Sequence, residues 1–263
     1  MSSIPEPNIL VTNDDGINSP GILALVEALA SIGRVHVVAP LYEMSAMGHA
    51  ITLSDPLKVV DVQRQDSFFG YGIQGTPADC VKLAVNSDLV PRPDMVVSGI
   101  NQGANLGVDI IYSGTVSAAY EGTLLGIPSL AVSLASFKFK DFEPAAEIAR
   151  RIAIQILNRD LPQGTLLNLN IPPGPLAELK GQRITRQGSA LYDENYERRL
   201  DPRNHVYYWL AGTRKIIDDN LDIDENAVRH GYISITPLHY ELTNTAFRQD
   251  LKTWNLEEDT IDA

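Results

Sequence analysis

Two adjacent carboxylates close a short apolar run, Ile9-Leu10-Val11-Thr12-Asn13-Asp14-Asp15-Gly16, and these are the residues best suited to chemistry. The run reads as a buried strand, and parallel sheets collect their reactive groups at the carboxyl ends of strands. Two acids side by side repel each other unless a positive charge lies between them, and a divalent cation supplies one. Taken alone, Asp14-Asp15-Gly16 equally fits a plain turn, because Asp and Gly are common turn formers. The choice depends on what falls at the other strand ends.

Ser45 follows a second β-branched run, residues 35–39, within Glu43-Met44-Ser45-Ala46-Met47-Gly48-His49. Asn101 closes a third run, residues 94–100, and Tyr112-Ser113-Gly114-Thr115 opens a helix just beyond. Alone, Ser45 reads as a surface-loop serine and Asn101 as a turn cap. Together with the two acids they offer only oxygen donors, which suit hard cations such as Mg²⁺, Mn²⁺ or Ca²⁺ more than zinc. Backbone N–H groups at a helix start favour an anion, and Gly114 permits close approach. A cation facing such a cradle points to phosphoryl transfer.

These blocks resemble a known family. Asn13-Asp14-Asp15-Gly16, the loop ending Gly48-His49-Ala50-Ile51-Thr52, Gly75-Thr76-Pro77-Ala78-Asp79-Cys80, Val97-Ser98-Gly99-Ile100-Asn101, Tyr112-Ser113-Gly114-Thr115 and Ile233-Ser234-Ile235-Thr236-Pro237-Leu238 are together similar to the SurE (survival protein E) nucleotidases. The likeness runs in order over residues 8–243. It implies a Rossmann-like core, a C-terminal portion exchanged between subunits, and hydrolysis of nucleoside monophosphates with one divalent cation, Mg²⁺ or Mn²⁺, per subunit. Both 5′ and 3′ phosphates, and other phosphate esters, stay open as substrates. The family's four metal ligands fall on Asp14, Asp15, Ser45 and Asn101. One departure is Ala46, where many members carry glycine.

On this reading Asp15 or Asp14 accepts a proton from the attacking water. Ser113, Gly114, Thr115 and Asn101 hold the phosphate, and His239 donates a proton to the leaving alkoxide. Two competitors stand beside it: a phosphatase in which Asp14 itself attacks phosphorus, and a non-catalytic nucleotide-binding stress sensor.

Placing these groups at one edge requires alternating strands and helices, and the chain has them. Strand-like runs cover residues 9–12, 35–39, 94–100, 129–135 and 166–171. Between them lie a helix opened by Ser19-Pro20, one opened by Thr76-Pro77, one over 113–125 closed by Gly126, and one over 143–158. The alternation predicts a doubly wound, mostly parallel three-layer α/β/α sheet. After about Pro172 the character changes. The predicted division is a Rossmann-like core over 1–180 and a β-rich appendage over 181–263, with a ribbon strand at 205–211, an acidic loop at 213–229 and a strand at 231–236. Its aromatics suggest subunit contacts in a homodimer or homotetramer.

Composition closes off other classes. With 44% apolar and 21% charged residues the chain reads as globular. Its net charge of −12 argues against polymeric nucleic acid, which binds through basic surfaces. Cys80 is the single cysteine, so neither a disulfide framework nor a thiolate metal cluster is expected. No secretory signal or membrane-length apolar run is seen, and a cytoplasmic, membrane-free protein is the expectation. Asp218, Asn220, Asp222 and Asp224 mimic the opening of an EF-hand loop, but Ile223 replaces its glycine and Arg229 its closing glutamate.

Overall fold

The computed structural model describes residues 6–189, 191–215, 219–254 and 256. Strand β1 (Asn8–Thr12) buries both faces: Ile9 and Val11 point to one side and Leu10 to the other. Ser19 then caps α1 (Pro20–Leu29), accepting from the Ile22 N–H at 3.5 Å, with proline at the first helical position. β2 (Arg34–Pro40) returns beside β1. A hairpin that sequence pattern did not reveal, β3 (Val59–Arg64) and β4 (Ser67–Ile73), widens the sheet. β3 is mostly exposed, so it lacks the apolar run that marks a buried strand.

Thr76 and Asp79 form a reciprocal capping box at the start of α2 (Pro77–Asn86). Next come β5 (Met95–Gln102), α3 (Gly114–Leu124), β6 (Ser129–Leu134), α4 (Glu143–Arg159) and β7 (Thr165–Ile171). Further along lie β8 (Gln182–Ile184), the ribbon strands β9 (Leu191–Leu200) and β10 (Val206–Lys215), α5 (Asp224–Arg229), β11 (Ile233–His239) and α6 (Thr245–Leu251).

Among the described residues one nine-stranded sheet runs in the order β3-β4-β2-β1-β5-β6-β7-β11-β8. β4, β2, β1, β5, β6 and β7 are parallel, whereas β3 and β11 run antiparallel to β4 and β7. Helices α1 and α4 cover one face around Ile9, Val11, Leu25, Val97 and Ile148. Helices α2 and α3 cover the other around Leu10, Val38, Cys80 and Ala118. The three-layer α/β architecture is the one the alternation predicts.

The later third differs in detail. β9 and β10 form their own two-stranded sheet. The stretch expected to be an acidic loop at 213–229 contains the end of β10 and helix α5, with 216–218 outside the described residues. α5 is too short for a periodic pattern. Its first residue, Asp224, is fully buried, and its carboxylate accepts the N–H groups of Gly107 and Gly188, each at 2.9 Å. A side chain spent on distant backbone donors leaves no local signal. Asp218 of the EF-hand decoy lies outside the described residues, as do 190, 255 and 257–263 of the expected appendage.

Candidate active site

The sheet reverses its winding between β1 and β5, and the crevice beyond their carboxyl ends is where such folds bind ligands. A cavity of about 440 Å³ opens there. Asp14, Asp15, Ser45, Asn101 and Ser113 all line it, so five of the residues singled out above share one wall. Glu43, Asn105, Tyr112 and Phe137 complete much of the rest.

Asp14 is buried, and α3 is the reason it can be. Gly114 lies so close that a Cβ there would stand 2.8 Å from the Asp14 Cβ. The Thr115 hydroxyl donates to Asp14 Oδ1. Burial raises the pKa of Asp14 above the usual carboxylate value, while the Thr115 hydroxyl and the N–H groups of Thr115 and Gly114 pull against that rise without cancelling it. Of the trio Ser113, Gly114 and Thr115 expected to hold phosphate, Thr115 thus spends its hydroxyl on an acid of the chain itself. Ser113, whose Oγ accepts from the Val116 N–H at 3.1 Å, is the member of that trio that faces the cavity.

Asp15 is only partly buried, and Gln102 N–H donates to its Oδ2 at 3.1 Å. Burial, then the neighbouring charge of Asp14, pushes its pKa up to about 6, with Glu43 adding and Lys140 opposing. Two acids are thus kept close with insufficient positive charge nearby.

Asn101 reaches the rim because β5 shifts register between Ser98 and Asn101. Gly99 permits this close passage, since a Cβ would come within 2.4 Å of the Val132 carbonyl oxygen. The Asn101 amide nitrogen donates to the Gly103 carbonyl at 2.8 Å, which leaves the side-chain oxygen as the group available to the cavity. Ser45 is exposed and donates to Glu43 Oε1 at 2.7 Å. Ala46 beside it has φ +57°, a left-handed conformation that costs about 1–2 kcal/mol for a residue with a Cβ. The departure noted in the sequence therefore falls on a strained residue.

Asn105, which motif reasoning passed over, braces the floor. Its N–H donates to Asn170 Oδ1 at 2.8 Å and its amide to Ser133 Oγ at 2.8 Å, while its carbonyl receives the Asn168 and Asn170 amides. A run of polar residues on the inward face of β6 and β7 was the available signal.

His239 is not brought to this cavity. β11 is antiparallel to β7, and His239 pairs with Thr165, the first residue of β7. It therefore lies at the amino ends of the parallel strands, the edge opposite the site. Sequence spacing carries no strand direction, and the proton-donor role expected for His239 is withdrawn.

The donor chemistry fits a hard cation. Among the described residues no cluster of three or more His, Cys, Asp or Glu forms a ligand set. A cation in this cavity would therefore need the Ser45 hydroxyl and the Asn101 carbonyl oxygen beside Asp14 and Asp15. The two acids, with pKa values raised by burial and, for Asp15, also by the charge of Asp14, are the charge it would balance.

Comparison with known proteins agrees with this architecture. The family profile described as "Survival protein SurE" matches residues 9–194. The chain is 54% identical over 247 residues to a protein of Moorella thermoacetica named 5′-nucleotidase SurE, covering 94% of this chain and 95% of the relative. It is 50% identical over 248 residues to a protein of the same name from Syntrophobacter fumaroxidans, covering 94% and 99%. The crystal structure of the SurE protein from Aquifex aeolicus superimposes with a TM-score of 0.83 at 44% identity, over 95% of this chain and 100% of that one.

Proposed function

The chain belongs to the survival protein SurE family, and from that premise we propose that it removes phosphate from nucleoside monophosphates with the help of a divalent cation. The observation that carries the reading is the convergence of Asp14, Asp15, Ser45 and Asn101 on one cavity from three separate segments, those that follow β1 and β2 and the end of β5. Asp14, Asp15, Ser45 and Asn101 would hold the ion, Mg²⁺ or Mn²⁺. When bound, it would polarise a phosphoryl oxygen and make the attacking water more acidic.

The chain's own groups supply the rest. Asp15, partly open to solvent, is the better placed acid to take a proton from water. Asp14 is buried and engaged by Thr115 and the α3 N-terminus, which suits a fixed ligand more than a nucleophile. That favours direct attack by water over an aspartyl-phosphate. The hydroxyl of Ser113 accepts one hydrogen bond and keeps its proton free to donate to a phosphoryl oxygen. At the rim, Tyr112 and Phe137 expose 62% and 78% of their surface, and such rings stack on a flat nucleobase. The volume is within the roughly 300–1,000 Å³ of small-molecule sites.

Activity on 3′-nucleotides and other phosphate esters, and a cytoplasmic setting, belong to the same proposal. So does a homodimer or homotetramer with exchanged C-terminal segments. The supporting observation is the β9–β10 ribbon, which exposes Tyr196, Tyr208, Trp209 and Leu210. A non-catalytic sensor would need no such ring of oxygen donors. The deciding experiment is phosphate release from AMP with Mn²⁺ or Mg²⁺, with and without EDTA. Release only with the metal is expected, and none from any nucleotide under any metal would sink the reading.

A further inference from the structure

Helix α3 does more than present its N-terminus to Asp14. Two turns beyond Gly114, Glu121 is a carboxylate only 3% exposed, on a helix otherwise rich in small residues. Lys82 Nζ on α2 donates to its Oε1 at 2.6 Å, and His49 Nε2 lies 2.9 Å from its Oε2. An ionised carboxylate can only accept, so the imidazole donates from Nε2. His49 belongs to the loop that carries Ser45.

The same loop is tied down on both sides. Upstream, the Met44 N–H donates to the Asp14 carbonyl at 2.7 Å. Gly48 N–H donates to the Tyr112 carbonyl at 2.9 Å. Downstream, Thr76 Oγ1 donates to the Ala50 carbonyl at 2.7 Å, and the N–H and hydroxyl of Thr52 donate to Asp79 at 2.9 and 2.6 Å. Ser45, Ala46 and Met47 between these ties are exposed. A segment with so little apolar burial keeps its place through polar contacts, and Ala46 must also be held in a left-handed conformation.

We propose that Glu121 is a positioning residue that, through His49, fixes the Ser45 loop to the helix that also fixes Asp14. Two donors from distant parts of the chain then share one rigid frame. The proposal rests on reading the cavity as a cation-dependent phosphatase site. Glu121 itself touches no reacting atom.

The test compares wild type, His49→Ala and Glu121→Gln by hydrogen–deuterium exchange without metal, direct Mn²⁺ binding by electron paramagnetic resonance, and AMP hydrolysis. His49 is partly exposed, so its variant keeps the idea testable should Glu121→Gln fail to fold. Both variants are expected to exchange faster across residues 44–52 while β1 and β5 stay protected. Mn²⁺ should bind about tenfold more weakly, as for other outer-shell partners of a metal site. The Mn²⁺ concentration for half-maximal rate should rise in step, with kcat at saturating Mn²⁺ largely kept. Unchanged exchange, or faster exchange with unchanged Mn²⁺ affinity, would overturn the proposal. Wild-type protein that neither binds Mn²⁺ nor releases phosphate would overturn the site reading instead, and exchange at 44–52 would still decide whether Glu121 holds the loop.

Discussion

The two ends of α3 treat a buried carboxylate in opposite ways. At its N-terminus Asp14 has neutral donors for company and an acid, Asp15, as its neighbour, and the pKa values of both are raised. Two turns on, burial would raise Glu121 as well, but hydrogen bonds from His49 and Lys82 outweigh it and hold its pKa below the usual value. A structural carboxylate such as Glu121 comes with its donors built in, Lys82 and His49. A pair left short of positive charge fits the external cation of the proposed function, and that contrast separates the candidate catalytic end of the helix from its supporting end.

The sharpest way to break the contrast is to neutralise one acid at each end. Asp14→Asn is expected to lower metal-dependent phosphate release by roughly 10²–10³-fold, the cost of removing one preorganised electrostatic contact. The same change should leave the metal-free protein as stable or more so, because it removes charge repulsion. Steady-state kinetics and thermal melts of one preparation check both halves. A destabilised, fully active variant would erase the distinction.

Cation removal is next in size. Mn²⁺ at about a hundred times its dissociation constant should stabilise the fold by about 2.7 kcal/mol if it binds only the native state. A pH series sharpens this. Asp15 has its pKa raised to about 6 in the fold, so the native state holds that proton longer than the unfolded chain. Stability of the metal-free protein should therefore fall as pH rises from about 4 through about 6, and saturating Mn²⁺ should flatten that slope. Glu121 acts with the opposite sign. Its depressed pKa contributes stability above the usual carboxylate range that is lost as pH falls through its native value. Denaturant midpoints between pH 3 and 7, with Glu121→Gln as the reference, distinguish the two.

Glu121→Gln itself should cost about 1.5–3 kcal/mol, the range for hydrogen bonds to a charged group. The least effect is expected at Ala46. Glycine there relieves about 1–2 kcal/mol of left-handed strain but gives back roughly 0.5–1 kcal/mol in unfolded-chain entropy. The net gain in melting temperature should be small and positive. A loss would mean that the loop does not hold φ near +57° in solution.

Several features were readable from residue pattern because they are local. Ser19-Pro20 and Thr76-Pro77-Ala78-Asp79 announce helix starts, and both helices form there. The carboxyl ends of β1 and β5 gather Asp14, Asp15 and Asn101 because a doubly wound sheet permits little else. What escaped is non-local. His239 was misplaced because pattern says nothing about whether β11 runs with or against β7. Residue pattern also gave no sign that the Thr115 hydroxyl is bonded to Asp14 or that Gly114 packs against it. Glu121 left one clue, a charged residue within a helix of small and apolar ones, but its partners lie 39 and 72 positions away.

The amino-acid order by itself determined the kinds of groups available, the alternation that builds a parallel sheet, and the strand ends at which chemistry can collect. Periodicity and capping act over a few residues and need no distant partner. Tertiary structure alone decided which acids are balanced and which are not. Charge balance depends on through-space neighbours, and for Asp14 and Glu121 those neighbours come from segments that only folding brings together.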